Sequence, residues 1–271
     1  MKPLEWHRVN RRFRCCCGHD DWCTYAVMDK GGVLFCCMRM ESDRQAGNGG
    51  WLHKSTEDRP VYVPPPKPEK PAHDFGALMA RWTMETCMDS ISAHAKALGV
   101  TFESLSLLDC AYAKEHAAWA FPMRTGYGVV CGVRLRNVQG DKWAVKGSKS
   151  GLFIPSCPSQ SRLFICEGPT DTAAALTLGL YAIGRPSCRG QESMVRDAIT
   201  RLGVTEVVIV ADKDEPGQHG AELLQAGLQV PSVIWTPIAK DLRASVKLGL
   251  TAAQVGYVMR DLEWSKPKGR Q

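Results

Sequence analysis

The feature that most constrains the fold is a series of four apolar runs of strand length in the C-terminal half of the chain. The runs are LFICE (163–167), YAIGRPS (181–187), VVIVAD (207–212) and SVIWTP (232–237). Segments of helical character separate them at 169–179, 191–202 and 216–227. Continuous apolar strands that alternate with helices are usually buried on both faces. The pattern therefore predicts an α/β fold with a parallel sheet and flanking helices.

Two of the predicted strands end in carboxylates. Glu167 closes the first run, Asp212 and Asp214 follow the third, and Asp171 lies one helical turn after Glu167. In open α/β sheets the carboxyl ends of the strands share one edge, where ligands bind. Clustered carboxylates would repel one another there without cations, and their oxygens suit Mg²⁺ or Mn²⁺. For each acid taken singly, the alternative is a helix N-cap.

The two acidic motifs, EGPTD and DKDEPG, resemble those of the TOPRIM fold, which topoisomerases, primases and some nucleases share. The resemblance covers roughly residues 160–245. Lys240 and Asp241 resemble the third acidic element of primase-type TOPRIM domains, but Leu-Arg-Ala follows where those domains often carry another acid. The resemblance implies that the catalytic Mg²⁺ or Mn²⁺ is bound by Glu167, Asp212 and Asp214, with Asp171 and Asp241 in support.

A second feature is the clustering of cysteines near the N-terminus. Six of the twelve cysteines lie between Cys15 and Cys37, and the chain begins without an apolar signal segment. In a reducing compartment, such clustering indicates a metal site rather than disulfides. A structural zinc site needs four Cys or His ligands in a tetrahedron, so the sequence predicts zinc here.

The cysteine stretch resembles the N-terminal zinc ribbons of phage and mobile-element primases, where a C-x₂-C-G-H-x-D-W-C block precedes a single C-M-R. This chain has Arg14 three residues before Cys17, where that block has a cysteine. We take Cys15 as the first ligand, and Cys16 paired with His19 is the competing geometry. Of the two adjacent cysteines near Met-Arg, we prefer the second. The predicted zinc ligands are Cys15, Cys17, Cys23 and Cys37.

Composition divides the chain into segments. The run PVYVPPPKPEKP, residues 60–71, holds six of the 16 prolines and is typical of an extended spacer. From His73 to Trp119 the apolar periodicity is helical, with Gly99 as a stop signal. The predicted domains are a zinc ribbon (1–59), a proline-rich linker (60–72), a helical and basic-strand part of a primase core (73–158), a TOPRIM domain (159–262) and a disordered tail (263–271).

Basic residues precede the predicted TOPRIM domain. In YGVVCGVRLRN, Val133 and Leu135 alternate with Arg134 and Arg136, which is typical of a strand with one buried and one basic face. Primases place a basic subdomain facing the metal site, so the resemblance implies contacts to template phosphates or to a nucleoside triphosphate. The alternative is an ordinary solvated strand face. The candidate contacts are Arg134, Arg136, Lys142, Lys146 and Lys149, together with Lys240 inside the predicted TOPRIM domain.

These patterns favour a DNA primase of the phage, plasmid or mobile-element type. It would join ribonucleoside triphosphates on a single-stranded DNA template, using structural zinc and catalytic Mg²⁺ or Mn²⁺. A net charge of +6 mildly favours such a polyanionic partner. The chain lacks the G-x-x-x-x-G-K-[ST] phosphate loop, so we expect the replicative helicase to be a separate partner.

Two other functions suit the same motifs. One is a TOPRIM metal-dependent nuclease, and the other is a catalytically inactive module that binds single-stranded DNA. Neither a signal peptide nor a bilayer-spanning apolar segment is evident, so we expect a cytoplasmic protein without a membrane partner.

Overall fold

The computed structural model describes residues 5–11, 13–28, 32–47, 49–55 and 74–265. The chain divides into two compact units, Met1–Ala72 and His73–Gln271. The predicted proline-rich linker and residues 266–271 of the predicted tail lie outside the described residues. Within the described ranges, no helix is both long and apolar enough to cross a membrane.

The first unit is built on a four-stranded antiparallel sheet in the order β1-β2-β3-β4. Its strands are β1 (His7–Arg8), β2 (Thr24–Val27), β3 (Val33–Cys37) and β4 (Trp51–Lys54). The buried cluster of this unit consists of Val9, Phe35 and four cysteines. Such a small apolar core gives little stability by itself, and small domains of this kind usually depend on disulfides or a metal.

The second unit begins with three helices: α1 (Phe75–Glu85), α2 (Met88–Leu98) and α3 (Phe102–Leu107). Asp74 caps α1 by accepting a hydrogen bond from the backbone N–H of Ala77, and Thr101 caps α3 in the same way. α2 ends at Gly99, whose φ of 74° lies in the left-handed region that glycine adopts without strain. The predicted stop at Gly99 is therefore confirmed.

The expectation of helix as far as Trp119 is wrong beyond Leu107. The chain instead forms an antiparallel sheet in the order β5-β6-β7-β8. In β6, residues on both faces are buried, so the apolar run has no strand-like alternation. Pairing with neighbouring strands thus outweighs the helix propensity of its alanines. The strands are β5 (Ala111–Ala113), β6 (Ala118–Arg124), β7 (Val130–Arg136) and β8 (Lys142–Ala144).

The two faces of β7 differ, as the alternation predicts. Val133 and Leu135 are fully buried in a cluster with Trp82 of α1. Arg134 and Arg136 therefore lie on the opposite face of the strand. This places two guanidinium groups on the face of the antiparallel sheet turned away from α1.

A four-stranded parallel sheet follows, in the order β10-β9-β11-β12, which confirms the predicted α/β fold. Its strands are β9 (Arg162–Glu167), β10 (Ala182–Arg185), β11 (Glu206–Val210) and β12 (Ser232–Trp235). The helices are α4 (Gly168–Thr177), α5 (Glu192–Leu202), α6 (Glu215–Gly227), α7 (Leu242–Lys247) and α8 (Ala252–Asp261).

Helices cover both faces of the parallel sheet. Phe164 packs on one face in a cluster with Ala174 of α4, and Ile165 packs on the other in a cluster with Leu224 of α6. This double coverage explains why the strands are continuously apolar. The helices do not cover the carboxyl ends of the strands, which remain open.

Two further pairings join segments to this sheet. Phe153 pairs antiparallel with Gly184 of β10, which connects the segment after β8 to the sheet edge. Ser265 pairs with Ser232 of β12 through backbone and hydroxyl hydrogen bonds. Ser265 therefore packs against the sheet, although it falls in the segment predicted as a disordered tail.

Candidate active site and metal centre

A cleft lies at the carboxyl ends of β9, β10 and β11, with β7 and β8 contributing its opposite wall. Its walls carry both acidic and basic side chains in close proximity. The carboxylates that line it are Glu167, Asp171, Asp212 and Asp241. The basic side chains that line it are Arg134, Arg136, Lys142, Lys240 and Arg243.

The first acidic motif is positioned by the turn from β9 into α4. Glu167 is the last residue of β9, and Gly168 follows with a φ of 76°, a conformation that favours glycine. Asp171 then lies in the first turn of α4 and is only 9% exposed. The E-G-x-x-D spacing thus brings two carboxylates into the cleft from one strand–helix junction.

The second acidic motif is positioned by the turn from β11 into α6. Asp214 caps α6 by accepting a hydrogen bond of 2.8 Å from the backbone N–H of Gly217. A Cβ atom at Gly217 would lie 2.9 Å from Oδ1 of Asp214 and 3.0 Å from Cβ of Asp212. Glycine at this position therefore allows the tight turn that places both aspartates near the strand end.

Helix capping accounts for some of these carboxylates but not for all. Asp214 caps α6, and Asp241 caps α7 by accepting a hydrogen bond of 2.6 Å from the backbone N–H of Ala244. Glu167 occupies the N-cap position of α4 but makes no side-chain capping bond. Asp212 precedes the capping residue of its helix. The convergence of Glu167 and Asp212 thus needs an explanation other than capping.

The acidic cluster is electrostatically strained. Burial, together with the charges of Asp171 and Glu167, raises the pKa of Asp212 to about 7. Burial also raises the pKa of Asp171 to about 6, although the backbone N–H of Arg243 donates to its Oδ1 at 2.9 Å. Close carboxylates disfavour one another's charged form, and a bound cation removes that penalty. The all-oxygen donor set fits a hard cation such as Mg²⁺ or Mn²⁺.

The basic wall is held in place by specific contacts. Nη1 of Arg136 donates to the hydroxyl of Thr170 at 3.1 Å, and Nη2 of Arg134 donates to the carbonyl of Pro186 at 3.4 Å. Burial lowers the pKa of Arg136, and the nearby charge of Arg243 lowers it further. An anion in the cleft would relieve the repulsion between these two guanidinium groups.

Three of the residues predicted to bind the catalytic metal or phosphates do not line the cleft. Lys146 and Lys149 are exposed and lie outside its walls. Asp214 does not line the cleft either, but its charge contributes to raising the pKa values of Glu167 and Asp212. It therefore lies close enough to act on both carboxylates.

The sequence interpretation missed two arginines at this edge of the sheet. Arg185 ends β10 opposite Glu167 in register, is 2% exposed, and opposes the rise in the pKa of Glu167. Its Nε and Nη1 have no hydrogen-bond partner among the described residues. Arg243, two residues after Asp241, lines the cleft. For Arg185 a signal was present, because the apolar run YAIGRPS carries a charge at the strand end as LFICE does.

The first unit contains a compact cysteine centre. The sulfur atoms of Cys15, Cys17, Cys23 and Cys37 all lie within 4.8 Å of one another, and the four residues are buried. Two of the distances are 3.9 Å (Cys17 to Cys23) and 4.0 Å (Cys23 to Cys37). Four sulfurs at about 2.3 Å from a tetrahedral zinc would be about 3.8 Å apart, so the arrangement suits structural zinc.

Backbone N–H groups stabilise the sulfurs of this centre. The N–H of Met38 donates to Sγ of Cys23 at 3.4 Å, and the N–H of Met40 donates to Sγ of Cys37 at 3.2 Å. Such bonds to metal-binding thiolates orient the ligands. The four residues are those chosen from the sequence. Cys16 also lies within reach of Cys37 and His53, which is an alternative ligand set. His19 belongs to neither set.

No protein-family model matches the chain, and no curated protein sequence matches it. Solved structures do match. The DnaG catalytic core superposes with a TM-score of 0.53 at 15% identity, covering 70% of this chain and 79% of that chain. The zinc-binding and RNA polymerase domains of Aquifex aeolicus primase give a TM-score of 0.57 at 12% identity, covering 69% of this chain and 60% of that chain.

A third match is a chain from the complex of bacteriophage T7 lagging-strand DNA polymerase with the primase domains of two gp4 subunits. It has a TM-score of 0.51 at 13% identity and covers 64% of this chain and 91% of that chain. At these identities the likeness concerns the fold. This chain has the mixed α/β fold of DNA primase catalytic cores, with a TOPRIM-type parallel sheet and an N-terminal cysteine cluster that resembles a zinc ribbon.

Proposed function

We propose that this protein is a DNA primase that joins ribonucleoside triphosphates into short RNA primers on a single-stranded DNA template. The observation that carries the proposal is the convergence of Glu167 and Asp212 in one cleft, opposite a basic wall. Neither carboxylate is used to cap a helix. The likeness to primase catalytic cores supports the same function at the level of the fold.

In this proposal Glu167, Asp212 and Asp214 hold catalytic Mg²⁺ or Mn²⁺, and Asp171 and Asp241 support them. The capping bond of Asp214 engages Oδ1, so its other oxygen can serve as a ligand. A divalent cation bound there would supply Lewis-acid stabilisation of charge on the transferring phosphoryl group. The protein residues keep the carboxylates converged at the strand ends, so that little rearrangement is needed when substrates bind.

The basic wall would bind the phosphates of the substrates. Arg136, Lys142 and Arg243 lie in the same cleft as the carboxylates, within reach of a triphosphate placed beside them. Arginine guanidinium groups form paired hydrogen bonds with phosphate oxygens, which orients as well as attracts them. Arg134 and Lys240 would extend the basic surface to the template. For Lys146 and Lys149, which lie outside the cleft, only a peripheral phosphate contact fits.

The remaining parts of the proposal rest on the resemblance to primases of phages and mobile elements. The zinc-binding unit would contact single-stranded template, and a separate replicative helicase would supply that strand. Such a protein would act in the cytoplasm.

Two other functions make different predictions for the same site. A metal-dependent nuclease would use the carboxylates and the basic wall to cleave a strand instead of extending one. An inactive DNA-binding module would need the basic wall but not the carboxylates. Glu167 and Asp212 favour an enzyme over such a module, because clustered acids without a metal weaken the binding of polyanions.

The test is a primer-synthesis assay with the full chain, random-sequence single-stranded DNA, labelled ribonucleoside triphosphates and either Mg²⁺ or Mn²⁺. We expect short labelled products with the wild type and none with Asp212→Asn, because an amide binds a hard cation poorly. Without metal the variant should melt at the same temperature or higher, since one repelling charge is removed. Glu222→Gln makes the same carboxylate-to-amide change at an exposed position of α6 outside the cleft, so it is the matched control and should keep full activity.

Each alternative has a distinct outcome in this assay. Cleavage of the strand by the wild type without primer products would identify a nuclease. Binding without either reaction, retained or strengthened in Asp212→Asn, would identify an inactive module. Primer synthesis by Asp212→Asn at the wild-type rate would refute the metal site itself.

A further inference from the structure

The first unit has a highly exposed tryptophan in a strained backbone conformation. Trp22, directly before Cys23, is 82% exposed. Its backbone φ is 63°, in the left-handed region that residues other than Gly, Asn and Asp seldom adopt. The fold therefore accepts backbone strain at this residue without burying its indole ring. Strain of this kind, when the surrounding structure maintains it, often marks a functional position.

The ring has a fixed cation beside it. The guanidinium carbon of Arg39 lies 5.7 Å from the centroid of the Trp22 ring. Arg39 is itself anchored, because Nη2 donates to Oδ1 of Asp21 at 2.8 Å and Nη1 donates to the carbonyl of Asp21 at 2.9 Å. The pair is thus preorganised, so a ligand that binds it loses less conformational freedom in the protein.

The cysteine centre holds both residues in position. Trp22 precedes Cys23, and Arg39 donates from its backbone N–H to Sγ of Cys37 at 3.4 Å. Nη1 of Arg39 also lies 3.7 Å from Sγ of Cys23. We call Trp22 and Arg39 the Trp22 platform. Its geometry depends on two neighbouring turns that the four cysteines bring together.

The chemistry of the platform fits a nucleobase. An exposed indole stacks on the flat face of any base, and an adjacent arginine adds a cation–π contribution. The same unit has exposed arginines at Arg8, Arg11 and Arg14, which can contact further phosphates. An apolar protein partner would not require a cation fixed beside the ring.

We propose that one base of single-stranded DNA stacks on the Trp22 platform. This contact would contribute to the affinity of the zinc-binding unit for the template. The identification of the strand as template rests on the proposed primase function, whereas the stacking itself does not. Because every base has a π-face, we expect the contact to tolerate changes of sequence.

The experiment measures the affinity of the zinc-loaded full chain for fluorescein-labelled single-stranded DNA by anisotropy. We expect Trp22→Ala to weaken binding about 5- to 150-fold, the range for loss of one stacked base. Trp22→Phe keeps a ring and should retain most of the affinity. Trp6→Ala is the matched control, because Trp6 is a partly exposed tryptophan of the same unit, and it should bind like the wild type.

A second measurement reports the stacking directly. DNA should quench tryptophan emission in the wild type more than in Trp22→Phe, because the indole that contacts the base is missing in the variant. Zinc content and thermal unfolding of Trp22→Phe should match the wild type, which separates the contact from folding of the unit.

The outcomes separate this inference from the proposed function. Wild-type affinity in both Trp22 variants, with equal quenching, would overturn the stacking proposal whether or not the protein makes primers. Weak binding by Trp22→Ala in a protein that makes no primers would support stacking and reject the primase. A loss of affinity that is equal in Trp6→Ala and Trp22→Ala would also overturn the proposal, since no specific platform would then exist.

Discussion

Single carboxylates at the acidic cleft differ in whether they cap a helix. Asp214 and Asp241 each give one oxygen to a helix cap, whereas Glu167 sits at an N-cap position without capping. A carboxylate has more acceptor sites than one capping bond uses. The choice between cap and ligand that the sequence left open is therefore not exclusive for Asp214.

Asp214 allows the two roles to be separated by substitution. We expect Asp214→Asn to keep the stability of the wild type, because Asn caps helices about as well as Asp. It should nevertheless lose primer synthesis, because its amide is a poor ligand for a hard cation. Asp214→Ala should lose both activity and about 1 kcal/mol of stability. Thermal melting and the primer assay on both variants test this, and an active Asp214→Asn would assign the residue to capping alone.

At the scale of elements, β7 contributes to both the core of the antiparallel sheet and the wall of the cleft. One of its faces packs on α1 through Val133 and Leu135, and the other presents Arg134 and Arg136 to the cleft. The same strand thereby stabilises the antiparallel sheet and supplies the basic wall.

We expect Arg134→Ala and Arg136→Ala to weaken binding of single-stranded DNA or of nucleotide without unfolding the protein. If a variant loses a phosphate contact of the template, the slope of log K against log salt should become shallower by about 0.7. A salt titration of affinity measures this. Lys96→Ala is the control, because Lys96 is an exposed lysine of α2 that does not line the cleft. Equal behaviour of all three variants would contradict a specific role for the basic wall.

α2 contains a histidine that links stability to pH. His94 stacks on Trp119 of β6, with ring centroids 4.1 Å apart and an interplanar angle of 7°. Burial lowers its pKa to about 4, and the charge of Arg136 acts in the same direction. The unfolded chain therefore binds the proton more tightly, with a pKa of about 6.5. The stability that His94 contributes is complete above about pH 6.5 and is lost as the pH falls toward 4.

We expect His94→Phe, which keeps an aromatic ring on Trp119, to lose less stability than the wild type between pH 7 and pH 5. Melting temperatures of both proteins at the two pH values measure this difference. Other groups titrate in the same range, so the comparison of the two proteins is the informative quantity. Identical pH dependence would show that His94 is not protonated on unfolding.

At the scale of the whole molecule, the two units differ in what stabilises them. The second unit has apolar clusters on both faces of its parallel sheet, whereas the first has a small cluster in which cysteines predominate. Folding of the first unit should therefore depend on metal, because metal-binding free energy is folding free energy in such domains.

We expect one zinc per chain, and we expect Cys23→Ser to lose the zinc and unfold the first unit while the second keeps its melting transition. Elemental analysis and calorimetry measure the two effects. Cys36→Ser is the control, because Cys36 lies outside both candidate ligand sets. Loss of zinc in Cys16→Ser with retention in Cys15→Ser would instead support the set of Cys16, Cys37 and His53.

The order of strands and helices in the parallel sheet could be read from the sequence alone, because double burial leaves uninterrupted apolar runs between helices. The acidic strand ends and the glycines of both motifs were visible for a local reason. A charge that closes an apolar run, and a glycine where the chain turns sharply, need only neighbouring residues to be recognised. Clustered cysteines in one short segment indicated the cysteine centre in the same way.

Only the tertiary structure decided what depends on contacts between distant segments. Strand β6 carried no local sign of its conformation, since its alanines favour helix and its two buried faces hide the alternation. Arg185 lies beside Glu167 because of the register between β10 and β9, and Arg243 lies beside Asp171 because α7 packs against α4. Lys146 and Lys149 lie outside the cleft although they are close in sequence to Lys142. Side-chain chemistry is local and can be read along the chain, whereas the meeting of charges at one cleft depends on pairing and packing over long sequence separations.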